Sequence, residues 1–441
     1  MHGPCASRAG RATRRRKSVA IAELLRRVEP SEIRRARPSP VDDQTLAAAA
    51  EIVRIVRDQG EPAVRHYAER FGERRPGEPL CLDRSEMRAA LGSLVPEDRG
   101  ALERAHERIL AFASAQRRTL HDLEWPIPGG RAGHTIEPIE AVGCYAPAGR
   151  YPLPSSVLMT AASARAAGCE RVVVASPGAR PVMLAAAAIA GADEFLAVGG
   201  AHAVGAMAHG FEGFDPVDKI IGPGNRWVTA AKLAVSGVVG IDMLAGPSEL
   251  VVLADEGADA VLVAADLLAQ AEHDTDARAI LVTTCERLAR GVEAELARQL
   301  DGMNAREDVL AALCNGFVCV ARDLEEAVRV VDAIAPEHLE IMTMDSERVA
   351  ASVRHAGAIF VGAAAAEVLG DYGIGPNHTL PTGGTARFRA GLSVVDLVRH
   401  RTWVRIDDLA TAEHVISDTR RLADLEGLSA HARSAALRAG A

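Results

Sequence analysis

Aromatic residues are scarce in this 441-residue chain: Phe, Trp and Tyr together make up 3%. A core of this size must therefore be built from Ala, Val, Leu and Ile, which suits α/β layers better than an aromatic-rich β-sandwich. Cysteine is scattered rather than patterned. Seven occur (Cys5, Cys81, Cys144, Cys169, Cys285, Cys314, Cys319), an odd number with no CxxC pair. That spacing excludes a disulfide framework or a zinc ribbon and suits reduced thiols in the cytoplasm. No run of 18 apolar residues exists, and the most apolar stretch, 182–192, stops at Asp193 and Glu194, so no membrane span is expected. The N-terminus has arginines but no apolar h-region, so no secretory signal is visible. Positive charge is short as well. The net charge is −9, and the six cations at the head (Arg8, Arg11, Arg14, Arg15, Arg16, Lys17) face no acid within residues 1–20, which leaves −15 on the rest. An acidic body repels a phosphate backbone and argues against general nucleic-acid binding. The basic head reads as a solvated, disordered arm or an over-called start.

What is present is the composition of a globular protein, 48% hydrophobic and 25% charged, long enough for roughly three domain-sized units. From residue 141 onward, short apolar runs alternate with alanine-rich helical stretches. Strands are expected at 141–145, 171–175, 194–198 and 218–221. Helices are expected at 155–168 (Ser155 or Ser156 as N-cap, Gly168 at the end), 181–190, 203–208 and 225–235. A second set follows, with strands at 249–254, 279–283, 317–320, 339–342 and 358–361. Such alternation predicts α/β architecture: two doubly wound, Rossmann-like units with helical N- and C-terminal extensions. Neither set carries GxGxxG, so the usual pyrophosphate turn is not supported. The nearest glycine-rich pieces, Gly199-Gly200 and Gly222-Pro-Gly-Asn225, follow expected strands, where a parallel sheet places its ligand loops. The amphipathic stretch 40–118 is expected to wrap onto the second unit. The chain after 381 reads as helical and polar.

Four constellations carry possible chemistry. In Gln270-Ala-Glu-His273, Gln270 and His273 share a helical face. Both can ligate a metal, although QxxH is as easily a helix-terminal cap. In Pro336-Glu337-His338-Leu339, a His poised near neutral pH sits beside a carboxylate that can orient it or activate a water. In Gly370-Asp-Tyr-Gly-Ile-Gly-Pro-Asn-His378, Asp371 is a hard ligand and His378 a residue that can support it. Glu426 and His431 lie five apart on the C-terminal tail, where the plain reading is a solvated pair. Mixed N/O donors of this kind suit a Lewis-acid ion that also accepts substrate atoms.

The order and spacing of several motifs resemble the histidinol dehydrogenase family over residues 46–435. They include Tyr145-Ala-Pro, Pro154-Ser-Ser-Val-Leu-Met, Ile221-Gly-Pro-Gly-Asn225, Asp242-Met-Leu-Ala-Gly-Pro-Ser248-Glu, Gln270-Ala-Glu-His273, Pro336-Glu-His-Leu-Glu, Gly370-Asp-Tyr, Gly391-Leu-Ser and Glu426-Gly-Leu-Ser-Ala-His431. The resemblance implies oxidation of L-histidinol through L-histidinaldehyde to L-histidine with two NAD, the last step of histidine biosynthesis. It implies a zinc-dependent cytoplasmic homodimer acting on a small molecule, with the site shared between subunits. It implies Gln270, His273, Asp371 and His431 as zinc ligands, and Ser248, His338 and Glu426 joining them around the substrate. His338 is then the general base and Glu337 the activator of water, with Tyr145, His202 and Asn225 as NAD contacts. A paralogue oxidising another alcohol, such as sulfopropanediol, is the alternative. It is left open by Arg150, Tyr151 and Thr402-Trp-Val-Arg405.

Three positions depart from the family pattern. His202 stands where Gln is usual, and an imidazole can still donate one hydrogen bond but cannot both donate and accept like an amide in a fixed orientation. Ala148 stands where Gly is usual, at a cost of about 1 kcal/mol if the backbone there needs positive φ. The segment after His273, Asp-Thr-Asp-Ala-Arg278, also strays. The implied division is an arm at 1–40, a discontinuous α/β domain at 41–138 plus 249–391, an NAD-side α/β domain at 139–248, and a helical, dimer-completing tail at 392–441.

Overall fold

The computed structural model describes residues 24–35, 39–148, 151–301, 303 and 306–439. The basic head and Arg150 lie outside them. The described chain begins with β1 (Arg26–Arg27), α1 (Asp43–Gln59), α2 (Glu61–Arg70), β2 (Cys81–Leu82), α3 (Arg84–Gly92) and α4 (Pro96–Arg117), then a hairpin of β3 (Leu123–Ile127) and β4 (Gly130–Pro138). Strands and helices then alternate: β5 (Ala141–Tyr145), α5 (Pro154–Ala167), β6 (Arg171–Ala175), α6 (Pro181–Ile189), β7 (Glu194–Leu196), α7 (Gly200–His209), β8 (Lys219–Ile221), α8 (Arg226–Val235) and β9 (Gly240–Ile241). The beat repeats in β10 (Glu249–Ala254), α9 (Ala260–Ala271), β11 (Arg278–Thr283), α10 (Glu286–Leu300), α11 (Arg306–Leu313), β12 (Phe317–Val320), α12 (Leu324–Ile334), β13 (His338–Met342), α13 (Ser346–Ser352) and β14 (Ala358–Val361). α14 (Glu367–Asp371), β15 (Val398–Ile406), α15 (Glu413–Leu425) and α16 (Ser429–Ala436) follow.

The two sets form two six-stranded sheets, ordered β2-β7-β6-β5-β8-β9 and β1-β12-β11-β10-β13-β14. All pairs are parallel except the edge pair β2–β7. In each, the first strand of the set lies in the middle and the chain crosses back over it, which is the doubly wound order expected from the alternation. Helices cover both faces, so the strand interiors are apolar, with Glu340 in β13 the exception. Val172 and Val174 face one core and Val173 and Ala175 the other, while Leu250, Val252 and Val251, Leu253 divide in the same way in the second sheet.

Helix ends follow local chemistry. Asp42 caps α1 by accepting from Thr45 N, and Asn225 caps α8 by accepting from Trp227 N and Val228 N. The cap expected at Ser155 or Ser156 is not used. α5 starts at Pro154, whose fixed φ suits the first turn, and Ser156 is buried inside the helix. Gly168 does end α5, in the left-handed region at φ 99°.

Two expectations are overturned. Helices α1–α4 do not wrap the second unit. Ala49, Val53 and Val56 of α1 and Val64 of α2 join the core on one face of the first sheet, and Met87 of α3 and Ile109 and Ala113 of α4 join the other. The reason is that α5–α8 are alanine-rich and apolar on their outer faces as well as their inner ones, so they need a further layer. A domain of 41–138 plus 249–391 is therefore not formed. Nor is the segment from 392 purely helical: Val398–Ile406 is a nine-residue strand paired antiparallel with β4, which pairs with β3 in turn. Thr402-Trp-Val-Arg405 is part of this strand. Ala148 is buried and is not among the residues of positive φ, so the departure there carries no left-handed strain.

Leu281, in β11, is wholly buried in one of the two cores of the second unit. Leu281→Ala is expected to lower unfolding free energy by about 2–5 kcal/mol, read as a shift of the urea midpoint by circular dichroism. Trp125→Ala, on exposed β3, is expected to stay within about 0.5 kcal/mol of the parent protein.

Candidate active site

A parallel strand buried on both faces carries charge most readily at its ends, and most of the candidate residues gather there; Glu340, buried in the middle of β13, is the exception. β10 and β13 are neighbours at the point where the second sheet's strand order reverses, with Leu250 opposite His338. Ser248, Glu249, Glu337 and His338 therefore meet at the N-terminal edge of that sheet. The approach to His338 is strained: Ala335 ends α12 with φ 52°, the one non-glycine residue of positive φ among those described. Pro336 follows it, and the turn is held between the helix and β13.

Glu337 is anchored by two donors. Ser248 Oγ donates to Glu337 Oε2 at 2.8 Å and Glu249 N donates to the same oxygen at 3.0 Å. Burial pushes the Glu337 carboxyl up to about 8 against these donors. His338 Nδ1 lies 3.3 Å from the Glu249 carbonyl and 3.3 Å from Glu367 Oε1. Its acceptor neighbours assign the proton to Nδ1. Nε2 then holds a free lone pair, and it has no hydrogen-bond partner. Burial brings His338 down to about 4, so the imidazole is neutral at physiological pH.

Beside this pair lies a set of metal-capable donors. His273 Nε2 is 3.4 Å from Asp371 Oδ2 and 4.0 Å from Glu367 Oε1, and ligand atoms of all three lie within 4.8 Å of one another. His273 follows the C-terminus of α9, whose exposed carbonyls favour a cation. Glu367 and Asp371 stand four apart on α14, on one face. Gln270, one turn before His273, is wholly buried with both amide atoms unpartnered, and both oxygens of Glu367 are likewise orphaned. Buried polar groups in natural proteins rarely lack partners. Burial, with Asp371, Glu337 and Glu340 nearby, raises Glu367 well above the usual carboxylate range. At Asp371 burial pulls the same way but is outweighed by the bond from His273 and by the other imidazoles, and its carboxyl is lowered. A cation among these orphaned and crowded oxygens would satisfy them, so the donor set fits a metal. His378 supports the main chain here rather than the cluster itself: its Nδ1 meets the Asp371 carbonyl at 2.9 Å and its Nε2 meets Ser156 Oγ at 3.3 Å.

The structure thus brings together Ser248, Glu337, His338, His273 and Asp371, with Gln270 on the adjoining helix. It does not bring in Glu426 or His431, both exposed near the chain's end, where α16 packs on α15. Among the described residues no hydrogen bond or ion pair joins either to the cluster. Glu367 was not singled out from the sequence. Its one signal there was an acid four residues before Asp371.

Tyr145, His202 and Asn225 lie at the opposite kind of edge, the C-terminal end of the first sheet. Tyr145 Oη accepts from Gly200 N at 3.1 Å. His202, buried at the start of α7, places Nε2 2.9 Å from Glu73 Oε2, and Gly199 N donates to that same oxygen at 3.0 Å. The imidazole that replaces the usual amide is therefore tied to a carboxylate from the loop after α2. Its Nδ1 is left without a partner.

The donor geometry predicts that chelator-treated protein takes up a single divalent ion per chain. His273→Ala is expected to weaken that uptake by at least about tenfold, measured by metal analysis after equilibrium dialysis.

Comparison with known proteins agrees with this architecture. The family model described as histidinol dehydrogenase matches residues 35–439. The histidinol dehydrogenase of Parasynechococcus marenigrum is 44% identical over 389 residues, covering 87% of this chain and 88% of that protein. That of Cereibacter sphaeroides is 45% identical over 396 residues, covering 88% and 90%. The crystal structure of histidinol dehydrogenase from Elizabethkingia anophelis superposes with a TM-score of 0.87 at 29% identity, covering 94% of this chain and 98% of that one. The chain belongs to the histidinol dehydrogenase family and is an oxidoreductase of that family.

Proposed function

We propose that this enzyme oxidises L-histidinol through L-histidinaldehyde to L-histidine, the last step of histidine biosynthesis, using NAD and a bound zinc ion. The observation that carries the reading is the free Nε2 of His338 beside a buried carboxyl and a metal-capable donor set. When bound, zinc supplies a positive anchor for substrate nitrogen atoms and NAD supplies the two-electron acceptor. Gln270, His273 and Asp371 would hold the ion, with His431 of the partner subunit completing the set in a homodimer. Glu426 would reach the substrate across the same interface. Tyr145, His202 and Asn225 would line the NAD side. The six described cysteines are free thiols, which fits a reducing, cytoplasmic setting.

The chain's own residues divide the work. His338 takes the carbinol proton at Nε2 as the carbon gives up its hydride. Ser248 and the Glu249 amide hold Glu337 so that it takes a proton from the water that attacks the aldehyde carbon. Its pKa of about 8 lies near the working pH, where a general base performs best. His338 gives up its first proton to solvent and then accepts a second, from the hydrate, as a second hydride leaves. Each histidinol loses two hydrides to two NAD and gains one oxygen from water.

The test follows NADH formation to completion with zinc-loaded protein and L-histidinol. Two NADH per histidinol, with histidine as product, are expected. No NADH from folded, zinc-bound protein would overturn the reading. His338→Asn is expected to slow the first oxidation by roughly two to four orders of magnitude while zinc content stays at the parent level.

A shared site makes a separate prediction. Neither His431→Ala nor His338→Asn protein is expected to turn over well alone. After subunit exchange, mixed dimers are expected to regain a fraction of parent activity, because one of the two sites is then intact. Mixed dimers with no recovery, shown to be mixed by mass, would place His431 outside the site.

A further inference from the structure

One fully buried ion pair stands between the cofactor side and the Glu337–His338 side. Lys232, on α8, and Asp242, just after β9, are each about 2% exposed, and the Lys232 ammonium donates directly to Asp242 Oδ1. Together they grip a single residue, Gly222, by both its N–H and its carbonyl. Gly222 N donates to Asp242 Oδ2 at 2.7 Å, and Lys232 Nζ donates to the Gly222 carbonyl at 3.0 Å. Met243 N also donates to Asp242 Oδ1, at 2.6 Å.

Gly222 needs this grip. Its φ is +112°, and a Cβ there would come within 2.1 Å of the Tyr145 carbonyl oxygen. The loop 222–225 is therefore pressed onto the main chain of Tyr145, and it delivers Asn225 to the start of α8, the helix that carries Lys232. From Asp242 the chain runs as a strap from the first sheet to the second. Ala245 O accepts from Thr229 Oγ1 of α8 at 2.9 Å, Gly246 N donates to Thr382 Oγ1 at 2.6 Å, and Ser248 Oγ donates to Glu337. The same carboxylate thus begins the path that ends on the Glu337 side chain.

Stability does not account for such a pair. Removing two charges from water costs more than most buried pairs return, and apolar residues of similar volume are often neutral or stabilising replacements. What apolar residues cannot do is hold both the N–H and the carbonyl of Gly222. We infer that Lys232 and Asp242 are positioning residues that fix the cofactor loop 222–225 and, through the strap 242–248, its register with Ser248 and Glu337. This deepens the reading of Tyr145 and Asn225 as NAD contacts and rests on it.

The experiment compares Lys232→Gln, Asp242→Asn and the apolar double variant Lys232→Met/Asp242→Leu with the parent holoenzyme. Measured are KM for NAD, KM for L-histidinol, NADH affinity by fluorescence without turnover, zinc content and urea midpoint. KM for NAD and the NADH dissociation constant are expected to rise tenfold or more in all three. KM for histidinol is expected to stay within twofold, zinc content to stay at parent level, and the double variant to recover the urea midpoint without recovering cofactor affinity. A double variant with parental NADH affinity would overturn the inference, as would losses spread equally over both substrates. Failure of all three variants to fold would also overturn it, by making the pair a folding element. A parent enzyme that binds no NADH would instead remove the cofactor reading on which the inference rests.

Discussion

Burial of the second sheet on both faces is the constraint from which the site follows. β10 and β13 are buried on both flanks, and apart from Glu340 in the middle of β13 their polar groups collect where the strands begin. There Ser248 and Glu249 come from one strand's entrance and Glu337 and His338 from its neighbour's, within hydrogen-bond reach of one another. The edge is unusual for a doubly wound sheet, whose ligands commonly sit at the C-terminal ends of the strands. In the first sheet Tyr145, Gly200 and Asn225 lie at that C-terminal edge. The strap 242–248 joins the C-terminal edge of one sheet to the N-terminal edge of the other.

The electrostatics of the site are those of an unfinished assembly. Glu337, Glu340 and Glu367 are all raised by burial, with Glu249 and Asp371 adding to it at Glu337, Asp266 at Glu340, and Asp371, Glu337 and Glu340 at Glu367, while Asp371 is held down by His273 and the neighbouring histidines. So many carboxyls in one buried place are costly without a counter-charge. The orphaned amide of Gln270 points to the same conclusion by different chemistry, since an uncharged group has no charge to shed by changing protonation. The strained Ala335 adds a steric cost at the same spot. Strain and unsatisfied groups concentrated at one place mark a site kept for function rather than stability.

Legibility in the sequence followed the range of the interactions. The alternating strands and helices of both units and the end of α5 at Gly168 depend on neighbours within a few residues, and they were readable. So were Gln270 with His273, and Glu337 with His338, because each pair is local. Glu367 was not readable, since an acid in an alanine-rich stretch gains meaning only when α14 is folded against α9. The seat of α1–α4 was misread for the same reason. Their amphipathic faces announced a partner surface but not which of two alanine-rich units supplied it. β15 was misread as helix because its pairing with β4 reaches back across more than 250 residues.

The sequence by itself therefore determined the fold class, the family and most of the side chains that gather at the candidate site, because periodicity, turn chemistry and motif spacing are written along the chain. Only the tertiary structure decided that Glu367 joins His273 and Asp371, that His202 is bound to Glu73, and that one buried ion pair grips Gly222. These depend on which surfaces meet, and that is settled by burying apolar area between distant segments, a property that no local stretch of residues contains.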